Sequence, residues 1–180
     1  MKIEIIYTSL SGCTRDLAVG VAQGLDNHEV ALYDLAQGQP PLKGDILLLG
    51  YWVDKGGPDP AMSQLLSSLE GRTVGLFCTL AYFSDTAHAQ QALANGVKLV
   101  EERNTVIGGY VAQGSMSQQM IETARQKGGD QLAVNEIRWS VLSAQPSREE
   151  RALAALRFRH RIEIFDRLRQ QGLAFPALKF

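Results

Sequence analysis

The sequence predicts an α/β protein built on a doubly wound parallel sheet. Two observations carry this. Apolar, β-branched runs alternate with helical patterns along the whole chain. Two of those runs, "DILLLGY" at 45–51 and "TVGLFCTL" at 73–80, are apolar nearly throughout, as expected of parallel strands buried on both faces. Right-handed crossovers then place helices on both faces of the sheet.

The elements follow in order. "KIEIIYT" (2–8) reads as the first strand. Residues 13–25 carry Leu17, Val21 and Leu25 at helical spacing, with Ala18 beside them. "EVALYDL" (29–35) is the second strand, and "AQGQPPLKG" a loop full of breakers. After the third strand, "DPAMSQLLSSLEG" (59–71) forms a short helix stopped by Gly71. Helix follows the fourth strand over 85–102, and "NTVIGGYVAQG" (104–114) is the fifth strand. A short helix covers 117–127. Residues 128–146 have no decisive period, and "AVNEIRWSVL" reads as strand or loop. Ser147 with Glu150 makes a capping box for a C-terminal helix of about 147–171, closed by Gly172. Along it Leu153, Leu156, Ile164 and Leu168 recur roughly at helical spacing. The tail "LAFPALKF" is apolar enough to pack on the body. With no repeat, low-complexity tract or linker, residues 1–180 read as a single domain.

Composition excludes several classes. The formal net charge of -1 gives no basic excess for nucleic acid. Two cysteines, Cys13 and Cys78, make no disulfide framework, so a reducing cytoplasm is expected. "MKIEIIYTS" lacks the pattern of a signal peptide, and no apolar run approaches the ~20 residues that span a bilayer. His28, His88 and His160 are not spaced with a second ligand, so no metal is expected.

Ligands of such sheets bind outside the carboxyl ends of the strands. The loop after the first strand is "TSLSGCT" (8–14). Ser9, Ser11 and Thr14 offer hydroxyls, Gly12 permits close backbone approach, and the next helix points its N–H groups and positive dipole end at the loop. A P-loop is excluded, since Gly-Lys-Ser/Thr is absent, and so is the Gly-x-Gly-x-x-Gly dinucleotide fingerprint. A Cys-x5-Arg phosphatase loop fails at Val19. Two readings remain: a monophosphate site without a cation, or a β–α turn capped by its own hydroxyls.

The whole stretch "IIYTSLSGCTRDLAVGV" (5–21) resembles the flavodoxin signature: two apolar residues and an aromatic, a hydroxyl, a small residue, Thr, then Ala and an aliphatic on the helix. The resemblance implies a flavodoxin-like five-stranded sheet in the order 2-1-3-4-5, with FMN as cofactor. Its 5′-phosphate would be held by Ser9, Leu10, Ser11, Gly12, Cys13 and Thr14. In the loop "GYWVDKGGPDP" (50–60), Trp52 would stack on the flavin and Gly56–Gly57 would supply the turn beside its N5 atom. Val53, Asp54, Lys55 and Gly56 are counted with that site, although Asp54 and Lys55 also read as a solvated pair. In "CTLAYFSD" (78–85), the backbone of Thr79, Leu80 and Ala81 would read the pyrimidine edge. Tyr82 is preferred over Phe83 as the second stacking ring, because its hydroxyl can stay wet. Gln113 and Gly114, in "VAQGSM", would reach the same rim.

Three features depart from abundant flavodoxins: the near-neutral charge, the absence of acids around Tyr82, and a long arginine-rich C-terminal helix. The run "GYWVDKGGPDP" together with "YVAQG" resembles a distinct, non-acidic flavodoxin-like subfamily more than the abundant acidic carriers, and some members of that subfamily accompany flavin-dependent reductases, including tetrapyrrole reductases. The arginines 151, 157, 159, 161, 167 and 169 read either as a solvated face offset by Glu149, Glu150, Glu163 and Asp166, or as a dock for an acidic redox partner. Cys13 has no His or second Cys nearby in sequence, so it reads as a loop position rather than a redox thiol, and Cys78 as inert core. The resemblance implies a cytoplasmic flavoprotein that carries electrons between a reductase and an acceptor enzyme, without nucleic acid, membrane or metal. The alternative is an FMN-dependent NAD(P)H:quinone-type oxidoreductase acting on a small molecule.

Overall fold

The computed structural model describes residues 1–180. Its strands are β1 (Lys2–Tyr7), β2 (Glu29–Asp34), β3 (Ile46–Asp54), β4 (Gly57–Pro58), β5 (Thr73–Leu80) and β6 (Thr105–Gln113). Its helices are α1 (Cys13–Gln23), α2 (Pro60–Ser68), α3 (Ala87–Lys98), α4 (Gln118–Lys127), α5 (Leu132–Val141) and α6 (Arg148–Gln170). The five long strands are parallel in the order β2-β1-β3-β5-β6, which is the expected 2-1-3-4-5 winding. The two-residue β4 is additional and folds back antiparallel on the end of β3.

Successive side chains of a strand point to opposite faces, so the apolar runs in β3 and β5 feed two cores. On one face Ile3, Ile5, Leu48 and Phe77 pack with Leu17 and Val21 of α1 and with Phe158 and Ile162 of α6. On the other, Ile6, Leu47, Leu49 and Leu76 pack with Met62 and Leu66 of α2 and Val97 of α3.

Two sequence expectations are corrected. Residues 132–141 are helix α5, not strand or loop. Only Trp139 is buried there, so one anchored face is too sparse to leave a readable period. In α6 the buried residues are Ala154, Ala155, Phe158 and Ile162. Leu153, Leu156 and Ile164 instead lie 56%, 42% and 45% exposed. The cause is the close approach of α6 to α1. A Cβ added to Gly20 would fall 2.6 Å from that of Arg151, and one on Gly24 would overlap Ala155. Glycines of α1 let Arg151 and Ala155 of α6 come this close, and the leucines of α6 turn outward.

The outer edge of β6 is covered without being paired. The Phe175 ring packs on Phe165 of α6 at 6.2 Å between centroids. Phe180 reaches Gly109 of β6, where an added Cβ would lie 2.9 Å from its ring. No backbone hydrogen bond joins residues 174–180 to the strand. No helix is long and apolar enough to cross a membrane.

Candidate functional site

The carboxyl ends of β1, β3, β5 and β6 meet around a cleft of about 270 Å³. From the first loop, Leu10 and Ser11 line it. The loop is fixed from below. Thr8 N donates to Gly50 O at 2.9 Å, and the Thr8 hydroxyl donates to Asp59. Asp59 also caps α2, accepting from the N–H groups of Ala61 and Met62 at 3.1 and 3.3 Å. Gly12 takes φ +94° and opens α1 with no side chain to cap it. Ser9 Oγ accepts the Arg15 N–H at 3.3 Å, which leaves the N–H groups of Cys13 and Thr14 for a ligand.

Two members of the loop face inward. Thr14 is buried, its hydroxyl 2.8 Å from that of Thr79. Cys13 is buried too. Its sulfur accepts from Ser11 Oγ at 3.1 Å and from Ser115 N at 3.2 Å, and donates to Gln145 O at 3.2 Å. It therefore ties the loop after β1 to the segments that follow β6 and α5.

The end of β3 supplies Trp52, Val53, Asp54 and Lys55. Lys55 and Gly56 take φ +49° and +83° between the paired residues Asp54 and Gly57. This is a two-residue hairpin turn of the primed kind, which needs positive φ at both central positions. Gly56 meets that need freely and Lys55 does not. Asn95 of α3 holds the turn by donating to Gly56 O at 2.8 Å.

β5 contributes Thr79, Leu80 and Ala81. Gly114 lies against them, its N–H on Leu80 O at 2.8 Å. A Cβ there would come within 3.3–3.5 Å of Thr79, Leu80 and Cys13. Tyr82 is not among the lining residues. Its ring stands 5.2 Å from that of Phe83, with the Arg138 guanidinium 4.9 Å from its centroid. Both aromatics open onto a separate groove along α5, with Val134, Ile137 and Val141. Gln113 is also outside the cleft, its N–H bound to Glu150 at 3.0 Å. Sequence reasoning missed Ser115, Met116 and Met120, which close the cleft from the β6 side. Methionine fills gaps anywhere and carries no site signal of its own.

Asp54 and Lys55 are the only charged side chains in the lining. Burial pushes the Cys78 thiol up to about 12, so it stays protonated at neutral pH. No group of three His, Cys, Asp or Glu side chains could hold a metal ion. Burial also raises the Glu150 carboxyl above its ordinary range, against the N–H groups of Gln113 and Ser147 that favour its charge. A raised carboxyl stabilises the fold below its unfolded pKa and loses that contribution as pH rises through the folded value. Glu150→Gln keeps an acceptor for Gln113 and removes the cost of the charge. It should therefore raise Tm at pH 7 by about 1–2 °C, a modest figure because the amide nitrogen would take the buried place of Oε2, which has no hydrogen-bond partner, with the gain vanishing near pH 4. Calorimetry of both proteins across that range checks the sign.

A family model described as a flavodoxin domain matches residues 4–153. The chain belongs to the flavodoxin family. It is similar to the flavodoxin-like domain-containing protein BilS of Clostridioides difficile, 24% identical over 132 residues that cover 66% of this chain and 69% of that protein. It is also similar to BilS of Clostridium symbiosum, 28% identical over 144 residues covering 69% and 74%. The crystal structure of oxidised Flavodoxin 2 from Bacillus cereus shares the fold, with a TM-score of 0.55 at 18% identity, covering 89% of this chain and 99% of that one. The cofactor of this family is FMN. The donors of this flavodoxin's cleft fit that molecule: a hydroxyl and open helix N–H groups at one end, an indole and apolar walls at the other.

Proposed function

We propose that residues 1–180 form one flavodoxin-like domain that binds FMN and passes electrons between a reductase and an acceptor enzyme in the cytoplasm. The cleft carries this reading. Its hydroxyl and helix N–H groups are chemically suited to a phosphate and its indole to a flat ring, and no pair of side chains is arranged as acid and base or as nucleophile and base. Bound FMN supplies one- and two-electron redox chemistry, and the protein positions and tunes it.

In this reading Ser9, Leu10, Ser11, Gly12, Cys13 and Thr14 surround the phosphate. Ser11 acts through its hydroxyl, which turns from the Cys13 sulfur to the phosphate, and Cys13 and Thr14 act through backbone N–H groups. The buried Cys13 and Thr14 side chains keep the loop in shape. Trp52 stacks on the ring, Val53 to Gly56 frame it, and Thr79, Leu80, Ala81 and Gly114 meet its edge. Met116 and Met120 stand where a second aromatic was expected, while Tyr82 and Gln113 brace the rim from outside. Ser11→Ala should weaken FMN about 10–100-fold and riboflavin far less, since a hydrogen bond to a charged group is worth ~1.5–3 kcal/mol. Equal losses for both ligands would remove Ser11 from the phosphate. Lys55→Gln should lower the midpoint potential by about 20–40 mV at low salt, because a cation at the rim favours the more negative redox state and an exposed charge is largely screened. Redox titration at two ionic strengths reads this directly.

One observation favours the oxidoreductase alternative: Tyr82 leaves one side of the cleft without an aromatic cover. Against it, Lys55 is the only cation in the lining available to a dinucleotide phosphate. The test has two parts. Flavin released on denaturation should chromatograph as FMN, and FAD as the main species would sink the phosphate assignment. NAD(P)H oxidation with a quinone should be no faster than with free FMN. Turnover well above that would make the protein an enzyme.

A further inference from the structure

Leu153, Leu156 and Ile164 form a stripe on α6 that no other element covers. His160 continues it, and the spacing of three and four residues presents one side of a helix to another helix. The stripe is one wall of a groove of about 470 Å³, and Tyr110 of edge strand β6 forms the other. Arg157, His160 and Arg161 line the groove, and no acid does.

Both arginines are held in place. The Arg157 guanidinium sits 5.6 Å from the Tyr110 ring centroid. The Arg161 stem covers Gly108, where an added Cβ would lie 3.2 Å from it. Neither forms an ion pair, and those within α6 are Arg167–Glu163 and Arg169–Asp166. Side chains already fixed lose less freedom when a partner binds.

The charge chooses the occupant. Two copies packed α6 to α6 would set Arg157, His160 and Arg161 against their own kind, which like-charge repulsion disfavours. A helix with an apolar stripe flanked by carboxylates matches on both counts. The groove also starts near the cofactor end of the sheet, since Glu150 in the first turn of α6 holds the N–H of Gln113. We infer that the α6–β6 groove docks an acidic amphipathic helix of a redox partner protein. That the partner is a redox protein rests on the electron-carrier reading above.

The test uses FMN-loaded, 15N-labelled protein and a synthetic helical peptide with leucines at this spacing flanked by glutamates. A second peptide replaces every glutamate by lysine. The glutamate peptide should shift the amides of Tyr110, Leu153, Leu156 and Ile164, and lose affinity with added salt. The lysine peptide should not bind. Arg157→Glu combined with Arg161→Glu should weaken the glutamate peptide at least tenfold while the helical circular dichroism stays intact. Equal binding of both peptides, or shifts confined to the cleft or to α5, would overturn the inference. So would a dimer in sedimentation that buries α6, since the occupant would then be a second copy. Flavin absorbance is read in parallel. A protein that holds no flavin but still binds the glutamate peptide at α6 would end the carrier reading and leave the docking surface standing.

Discussion

Trp52→Ala is expected to weaken FMN binding by about 10–100-fold, since stacking on one aromatic is worth ~1–3 kcal/mol by alanine substitution. Trp52 is the last residue of β3 paired with β5, opposite Thr79, and it lines the cleft. Flavin fluorescence, quenched in the wild type by the indole, should partly recover. Tyr82→Ala is the informative control. Its ring packs on Phe83 and under Arg138, outside the lining, so the variant should keep affinity and quenching within about twofold. Fluorescence titration of the apoproteins measures both. Equal losses would mean that the loop after β5 turns its tyrosine onto the cofactor. No loss in Trp52→Ala would remove the indole from the site.

Phe158→Ala should cost the fold ~3–5 kcal/mol, the usual range for a buried aromatic truncated to alanine. The side chain is fully buried and meets Phe77 edge to face, with centroids 6.1 Å apart. It joins the last helix to the centre of the sheet. In a chain of 180 residues this corresponds to roughly 10 °C in Tm. Leu153→Ala and Leu156→Ala, on the opposite side of the same helix, should move Tm by less than about 2 °C. Thermal unfolding of the three variants decides which face of α6 is seated. Similar losses for all three would contradict the observed packing.

The parallel sheet was legible because a strand buried on both faces leaves a continuous apolar run, as in "DILLLGY" and "TVGLFCTL", whereas the strand order came from the resemblance of residues 5–21 to the flavodoxin signature. The loops of the cleft were legible because Gly12 and the hydroxyls around it mark a tight β–α turn, and Trp52 is an odd residue for a strand end. The seated face of α6 was not. Leucine advertises burial more loudly than alanine, yet the glycines of α1 bring that helix so close that alanine fits and leucine does not. That Tyr82 lies outside the cleft lining was not legible for a similar reason. Which way a loop aromatic turns depends on Arg138, far along the chain in a helix whose pattern is too weak to read.

The apolar tail bears on how this chain behaves in a crowd. A strand at the rim of a sheet carries a row of unused N–H and C=O groups and will accept a strand from any neighbour. β6 is such a strand, and Phe175 and Phe180 lean across it without taking those groups. Protection by side chains alone is reversible. Removing residues 174–180 would leave the rim open to edge-to-edge pairing with another chain.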